Sequence, residues 1–258
     1  MAESFHDDDA PVGRILTRRE AVTILGGAGA AGFLTLVGCN PGSSKGSAFA
    51  STTDKDGSTV SCAVKPEMTE GPYFVDEKLN RTDIRADAAT GTVKPGTPLL
   101  LTFNVSRIQS GACTPLPGAQ VDVWHCDALG VYSGVNDPGF STRGQNWLRG
   151  YQLTNEKGVA QFTTILPGWY QGRASHIHFK IRGTDARRAG FDFTSQLFFD
   201  EKFLASAYDL APYNSRSDSG RRRNAGDGIF SRGGSDLVVT PASADGKYSA
   251  TFNIGLNV

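Results

Sequence analysis

The sequence predicts an all-β protein: a β-sandwich of mixed or antiparallel strands with long loops and little helix. Three observations predict it. From about residue 96 onward, short runs rich in β-branched and aromatic residues alternate with turn signals. The 31 Gly and 12 Pro among 258 residues punctuate the chain too often for long helices. Strands do not alternate with long helical segments, no repeat recurs at solenoid spacing and no Gly-rich phosphate loop is present, which sets aside a doubly wound α/β fold. A hydrophobic fraction of 39% with 10% aromatics suffices to bury a core. Lys+Arg and Asp+Glu both number 26, and a net charge of zero excludes holding nucleic acid or an anionic membrane by bulk electrostatics.

The N-terminal 38 residues read as an address. Asp7, Asp8 and Asp9 precede Thr17-Arg18-Arg19-Glu20, after which an uncharged, Gly- and Ala-rich stretch runs from Ala21 to Gly38. Weak hydrophobicity behind paired arginines resembles a twin-arginine export signal, and a membrane-spanning helix would be greasier. Leu36-Val37-Gly38-Cys39 resembles a bacterial lipobox, so lipid on Cys39 is the expected route of membrane attachment. Residues 39–60, dominated by Ser, Gly, Thr, Ala and Lys, are expected to form a flexible tether to a working domain over 61–258. The expected location is extracytoplasmic, at the cell surface or secreted. Loss of residues 1–38 leaves 23 basic and 21 acidic residues, a balance that still points to no macromolecular partner. Beyond Cys39, Cys62, Cys113 and Cys126 allow one disulfide and one free thiol, with spacings unsuited to a Cys-x-x-Cys site.

Within the domain the expected strands are 99–108, 119–126, 159–165, 176–181, 194–199, 237–240 and 248–254. Turns fall at Leu116-Pro117-Gly118, at Asn155-Glu156-Lys157-Gly158 and at Asp245-Gly246, the last a strong hairpin signal. Residues 201–208 suit a short helix. The polar stretch 209–235, which contains Arg221-Arg222-Arg223, reads as a solvated loop.

Histidine is scarce: His6, His125, His176 and His178 are all there is. Alternation along a strand puts His176 and His178 on one face, where two neutral imidazoles can grip a single metal ion. A third ligand is not dictated by spacing. A cupin would carry Glu four residues beyond the second histidine, where Arg182 stands; Asp185, Asp192 and Asp200 show no recognisable spacing, and a three-histidine zinc site would require His125. Tyr132 and Tyr170 are the better candidates, because a phenol gives up its proton to a strong Lewis acid and phenolate oxygen suits hard iron(III).

Taken together, Thr69-Glu70-Gly71-Pro72-Tyr73-Phe74-Val75-Asp76, Pro117-Gly118-Ala119-Gln120-Val121-Asp122-Val123-Trp124, Gly130-Val131-Tyr132, the segment Pro167 to Phe179 and Ser195-Gln196-Leu197-Phe198-Phe199 resemble the intradiol ring-cleavage dioxygenases, over residues 62–256. The resemblance implies a non-haem Fe(III) held by Tyr132, Tyr170, His176 and His178. It implies that Arg173 is the charged group beside the substrate, that Gln196 is a second polar contact and that Gly71, Pro72 and Tyr73 line the pocket. The interval from Tyr170 to His176 is shorter than in the catechol and protocatechuate enzymes, which implies a more open site. The implied reaction opens a catechol-type ring with O2 between its two hydroxyl-bearing carbons, yielding a muconate-type diacid. Tyr170 and Arg173 would take part in the chemistry together with Gln196. The competing reading is a surface-tethered β-sandwich binding module without a redox metal, its tyrosines packed in the core. The identity of the catechol and the oligomeric state stay open.

Overall fold

Alternation of apolar side chains decides which strands can face each other. In the computed structural model, which describes residues 50–53, 59–183 and 190–258, the strands are β1 (Ala50–Thr53), β2 (Thr59–Cys62), β3 (Pro98–Gln109), β4 (Ala112–Pro115), β5 (Gln120–Trp124), β6 (Asn136–Asp137), β7 (Phe140–Ser141), β8 (Arg149–Leu153), β9 (Val159–Ile165), β10 (His176–Arg182) and β11 (Asp192–Phe199). Helix α1 (Glu201–Ala207) and a series of short 3-10 turns between Tyr213 and Leu237 follow, then β12 (Val238–Val239), β13 (Ala242–Ala244) and β14 (Lys247–Leu256). Asp200 caps α1 by accepting from Phe203 N at 2.8 Å.

Two five-stranded sheets carry the fold. One has the order β12-β11-β10-β5-β8; the other runs β13-β14-β3-β4, with β9 also paired to β3. Most pairs are antiparallel, but β14 lies parallel to β3 and β12 parallel to β11, so the mixed all-β sandwich expected from the sequence is the fold. Leu99, Leu101, Phe103 and Val105 of β3 alternate inward with Phe252 and Ile254 of β14, against Val121 and Val123 of β5 and Ile177, Phe179 and Ile181 of β10. Phe103 sits at the centre, its ring 6.2 Å from Phe162, 5.2 Å from Phe179 and 6.0 Å from Phe252. Truncating such a side chain costs about 3–5 kcal/mol. Asp245 and Gly246, both at positive φ (51° and 70°), make the expected tight turn between β13 and β14.

Several expectations need correction. Strands β4 and β8 were not anticipated; β8 (Arg-Gly-Tyr-Gln-Leu) lacks the apolar alternation that marks the others. The segment 209–235 is not simply a solvated loop. Arg221 is buried there, its guanidinium bonded to Glu201 and Asp218, because the 3-10 turns fold back over α1. Of the expected tether, residues 50–53 pair with 59–62 as an antiparallel ribbon, while residues 39–49 and 54–58 lie outside the described residues, as do the export signal, Cys39 and Asp185. Cys62 is bonded to Cys113, and Cys126 is a buried free thiol.

Candidate metal centre

The two histidines of β10 alternate with Ile177, Phe179 and Ile181, which belong to the core. Their imidazoles therefore face away from it, on the outer surface of the β10 sheet. Register places His178 directly between Gln196 on β11 and Trp124 on β5, and the Trp124 ring stacks on His178 with centroids 4.9 Å apart. Loops roof this face, so that His176 and His178 are only 2% and 1% exposed.

His176 Nδ1 lies 2.7 Å from the Ala174 carbonyl. A carbonyl only accepts, so Nδ1 carries the proton and Nε2 offers its lone pair. That Nε2 is 3.0 Å from His178 Nε2 and 3.4 Å from the Tyr132 hydroxyl. Burial, with help from the Arg173 cation, pushes His176 down to about 3. Burial, then neighbouring His176 and Arg173, holds His178 well below its ordinary value. Both imidazoles are thus neutral at pH 7, the form that binds metals. Burial raises the Tyr132 phenol well above its usual range, so its ionisation calls for a strong cation at the oxygen.

These donors fit one metal ion. Two nitrogens each about 2.1 Å from a metal and at right angles lie about 3 Å apart, the separation seen between the two Nε2 atoms. Among the described residues no group of three His, Cys, Asp or Glu side chains is arranged to hold a metal. His125 is committed elsewhere, Nε2 to Thr164 Oγ1 at 2.7 Å and Nδ1 to Cys126 O at 2.8 Å. Asp192 faces Lys180 and Asp200 caps α1. The oxygen donors beside the histidines are phenols, and a phenolate–imidazole set favours a hard trivalent ion such as iron(III).

Tyr132 is delivered by a tight turn. Asp127 Oδ1 accepts from Leu129 N (2.9 Å) and Val131 N (3.0 Å), and Gly130 takes φ +84°, where any Cβ would strike the Trp169 carbonyl. The Tyr170 ring lies 5.8 Å from both the Tyr132 and the His176 rings, and its hydroxyl is 3.4 Å from Arg173 Nη1. Arg173 also donates from Nη2 to Gln196 Oε1 at 2.8 Å, and Gln196 Nε2 in turn donates to Thr69 O at 2.9 Å. Burial works against the Arg173 charge, but Tyr170 and Asp227 outweigh it and the guanidinium is held firmly protonated. Gly71, at φ +68°, passes so close that a Cβ would lie 3.3 Å from His178 Cε1; Tyr73 stacks on Tyr132 at 4.5 Å, and Pro72 between them is exposed. All nine residues singled out in the sequence except Pro72 thus make contacts within this one cluster.

Sequence reading missed the supports. Arg149 donates to Ser133 O and to Tyr73 O, the latter at 2.6 Å, joining the 71–73 segment to the Tyr132 loop. Asp137 accepts from the Tyr73 hydroxyl at 2.6 Å. Buried Asp227 bonds Arg173 Nε at 2.9 Å. Its one local signal is a Gly-Asp-Gly turn running into Ile229 and Phe230, a turn motif entering an apolar pair.

A family model described as Dioxygenase matches residues 69–216. Among solved structures, an intradiol ring-cleavage dioxygenase from Tetranychus urticae superposes with a TM-score of 0.65 at 30% identity, covering 76% of this chain and 95% of that one. The dioxygenase domain of a dioxygenase carbohydrate-binding protein fusion from Streptomyces sp. SirexAA-E superposes at 0.52 with 27% identity, covering 76% and 99%. A chlorocatechol 1,2-dioxygenase of Pseudomonas putida is 26% identical over 171 residues, 59% of this chain and 60% of its own length. The chain spans 52% to 60% of the lengths of the curated catechol and chlorocatechol relatives it matches.

Proposed function

The chain belongs to the intradiol ring-cleavage dioxygenase family, and from that membership we propose that it opens a catechol-type ring with O2, between the hydroxyl-bearing carbons, at a non-haem iron(III). The observation that carries this reading is the convergence of His178 Nε2, at 3.0 Å, and Tyr132 Oη, at 3.4 Å, on His176 Nε2 at a buried, neutral site. Tyr132, Tyr170, His176 and His178 would hold the metal. An iron(III) held there would supply Lewis acidity, drawing electron density from a catechol-type substrate and making its ring reactive toward dioxygen.

The protein's own residues do the rest. Tyr170, less buried than Tyr132 and next to Arg173 Nη1, would in its phenolate form accept a substrate proton at Oη and become the neutral phenol. Arg173 faces the negative charge that develops on the ring, and because its Nε and Nη2 are already bonded, it needs little reorganisation as that charge forms. Gly71 leaves room for a flat ring beside His178, and Tyr73 closes the Tyr132 side. The catechol itself and O2 are the small-molecule partners of this reading.

We further assign the N-terminal 38 residues to twin-arginine-type export, with lipid on Cys39. The Cys62–Cys113 disulfide supports it, since such bonds persist in oxidising compartments.

The test is oxygen uptake by iron-loaded protein against catechol, hydroxyquinol and protocatechuate, with the product identified. The expected outcome is a red to brown protein that forms a muconate-type diacid from at least one of them. A ring-opened semialdehyde, or a protein that refuses iron, refutes the reading.

A further inference from the structure

We propose that Asp227 is a positioning residue of this centre, holding the Arg173 guanidinium and, through the backbone of Ala174, the His176 imidazole in place together. The proposal rests on the function assigned above and adds a residue from a distant part of the chain. Asp227 lies 54 residues beyond Arg173, among the 3-10 turns, and its side chain is 0% exposed. Oδ2 accepts from Arg173 Nε at 2.9 Å and from Ala174 N at 2.7 Å. Oδ1 accepts from Ile229 N at 2.8 Å and Phe230 N at 3.0 Å. Four donors occupy the hydrogen-bonding capacity of one carboxylate.

The second link is the backbone of Ala174. Its N–H, in the Arg173–Ala174 peptide, is held by Asp227, and its carbonyl, in the following peptide, accepts from His176 Nδ1 at 2.7 Å. One carboxylate therefore anchors the backbone of the residue whose carbonyl orients a proposed metal ligand, and also the edge of the guanidinium that faces Tyr170. The guanidinium is fixed at its other end by Gln196, which sits directly opposite His178 in the sheet register. A buried ion pair serving stability alone has no need to couple these two groups. This one joins the substrate-side cation and a ligand histidine through a single residue.

Asp227→Asn tests it well. Each carboxylate oxygen accepts from two donors, so an amide must turn its NH2 toward one of these pairs and repel it, either the Arg173 and Ala174 donors or the turn amides. Groups supporting a metal ligand from behind typically change metal affinity or activity about 10–100-fold when replaced. The iron-loaded Asn variant is expected to lose iron to a competing chelator at least tenfold faster than wild type, to shift its visible charge-transfer band and to lose at least tenfold in kcat with a smaller change in KM. Asp227→Glu keeps the charge but adds a methylene in a fully buried position. It is expected to retain more iron than Asn while still showing a displaced band, and it carries the test if the Asn variant does not fold. Wild-type iron retention, band and kcat in a folded Asn variant, or in the Glu variant when it stands alone, overturn the proposal. Iron retention is read without substrate. A wild type that binds iron yet opens no catechol ring therefore refutes the function above and leaves this test intact, whereas a wild type that takes up no iron overturns both.

Discussion

Acid should unfold the metal-free protein earlier than its carboxylates alone would. His125, His176 and His178 are 0%, 2% and 1% exposed. Burial pushes His125 down to about 4 and, aided by Arg173, His176 to about 3; His178 is well below its ordinary value for the same reason. In the unfolded chain each titrates near 6.5. Below that pH the unfolded state binds protons that the native state refuses, so stability falls as pH drops, by about 1.4 kcal/mol per proton per pH unit. At pH 5 this amounts to about 2 kcal/mol for each histidine, or about 6 for three. Asp122, whose carboxyl burial raises, works in the opposite direction and offsets at most one of the three protons. Carboxylates held low, such as Asp87 and Asp227, lose their contribution only below their ordinary value of 3.8, outside this window. A net loss of about 4–6 kcal/mol rivals the whole stability of many domains. The assay is urea unfolding of chelator-treated protein at intervals from pH 7.5 to 5.0. A stability slope corresponding to fewer than one proton between pH 6 and 5 would refute the claim that these imidazoles are buried and neutral.

The ligand assignment predicts that Tyr132→Phe or His178→Ala abolishes iron binding or turnover, read by metal analysis and oxygen uptake; full activity in either would sink it. Gly71→Ala forces a side chain into positive φ and toward His178 Cε1, 3.3 Å from the new Cβ, and should lower kcat/KM about tenfold or more while costing about 1–2 kcal/mol of stability. Cys62→Ser opens a loop of sequence separation 51 and should cost about 4 kcal/mol in a urea midpoint comparison under oxidising conditions. Replacing Arg18 and Arg19 by Lys should leave the precursor inside the cell, as seen by fractionation; unchanged export would refute the twin-arginine assignment.

Much of this centre was legible in one dimension because its chemistry is local. His176 and His178 fall on one face by the period of a strand, and β10 keeps that period because Ile177, Phe179 and Ile181 fill the core on its other side. Tyr132 and Tyr170 suggested themselves because two histidines do not complete a metal site. Strand edges were read to within a few residues wherever alternation was strong, as in β9 and β10. The reading failed for β8, whose Arg149, Gly150 and Gln152 follow no apolar period and whose pairing is decided by its neighbour β5.

By itself, then, the sequence determined the sandwich, the paired imidazoles, the candidate phenols and the family likeness. Tertiary structure alone decided what those groups are able to do. Only burial under the loops keeps both histidines neutral far below their ordinary range. Only closure of the chain around the sheet brings Asp227 onto Arg173 across 54 residues, turns Arg221 inward and joins Cys62 to Cys113 rather than to Cys126. These are long-range pairings. No local propensity encodes them, because each exists only when two distant segments pack onto the same face of a sheet.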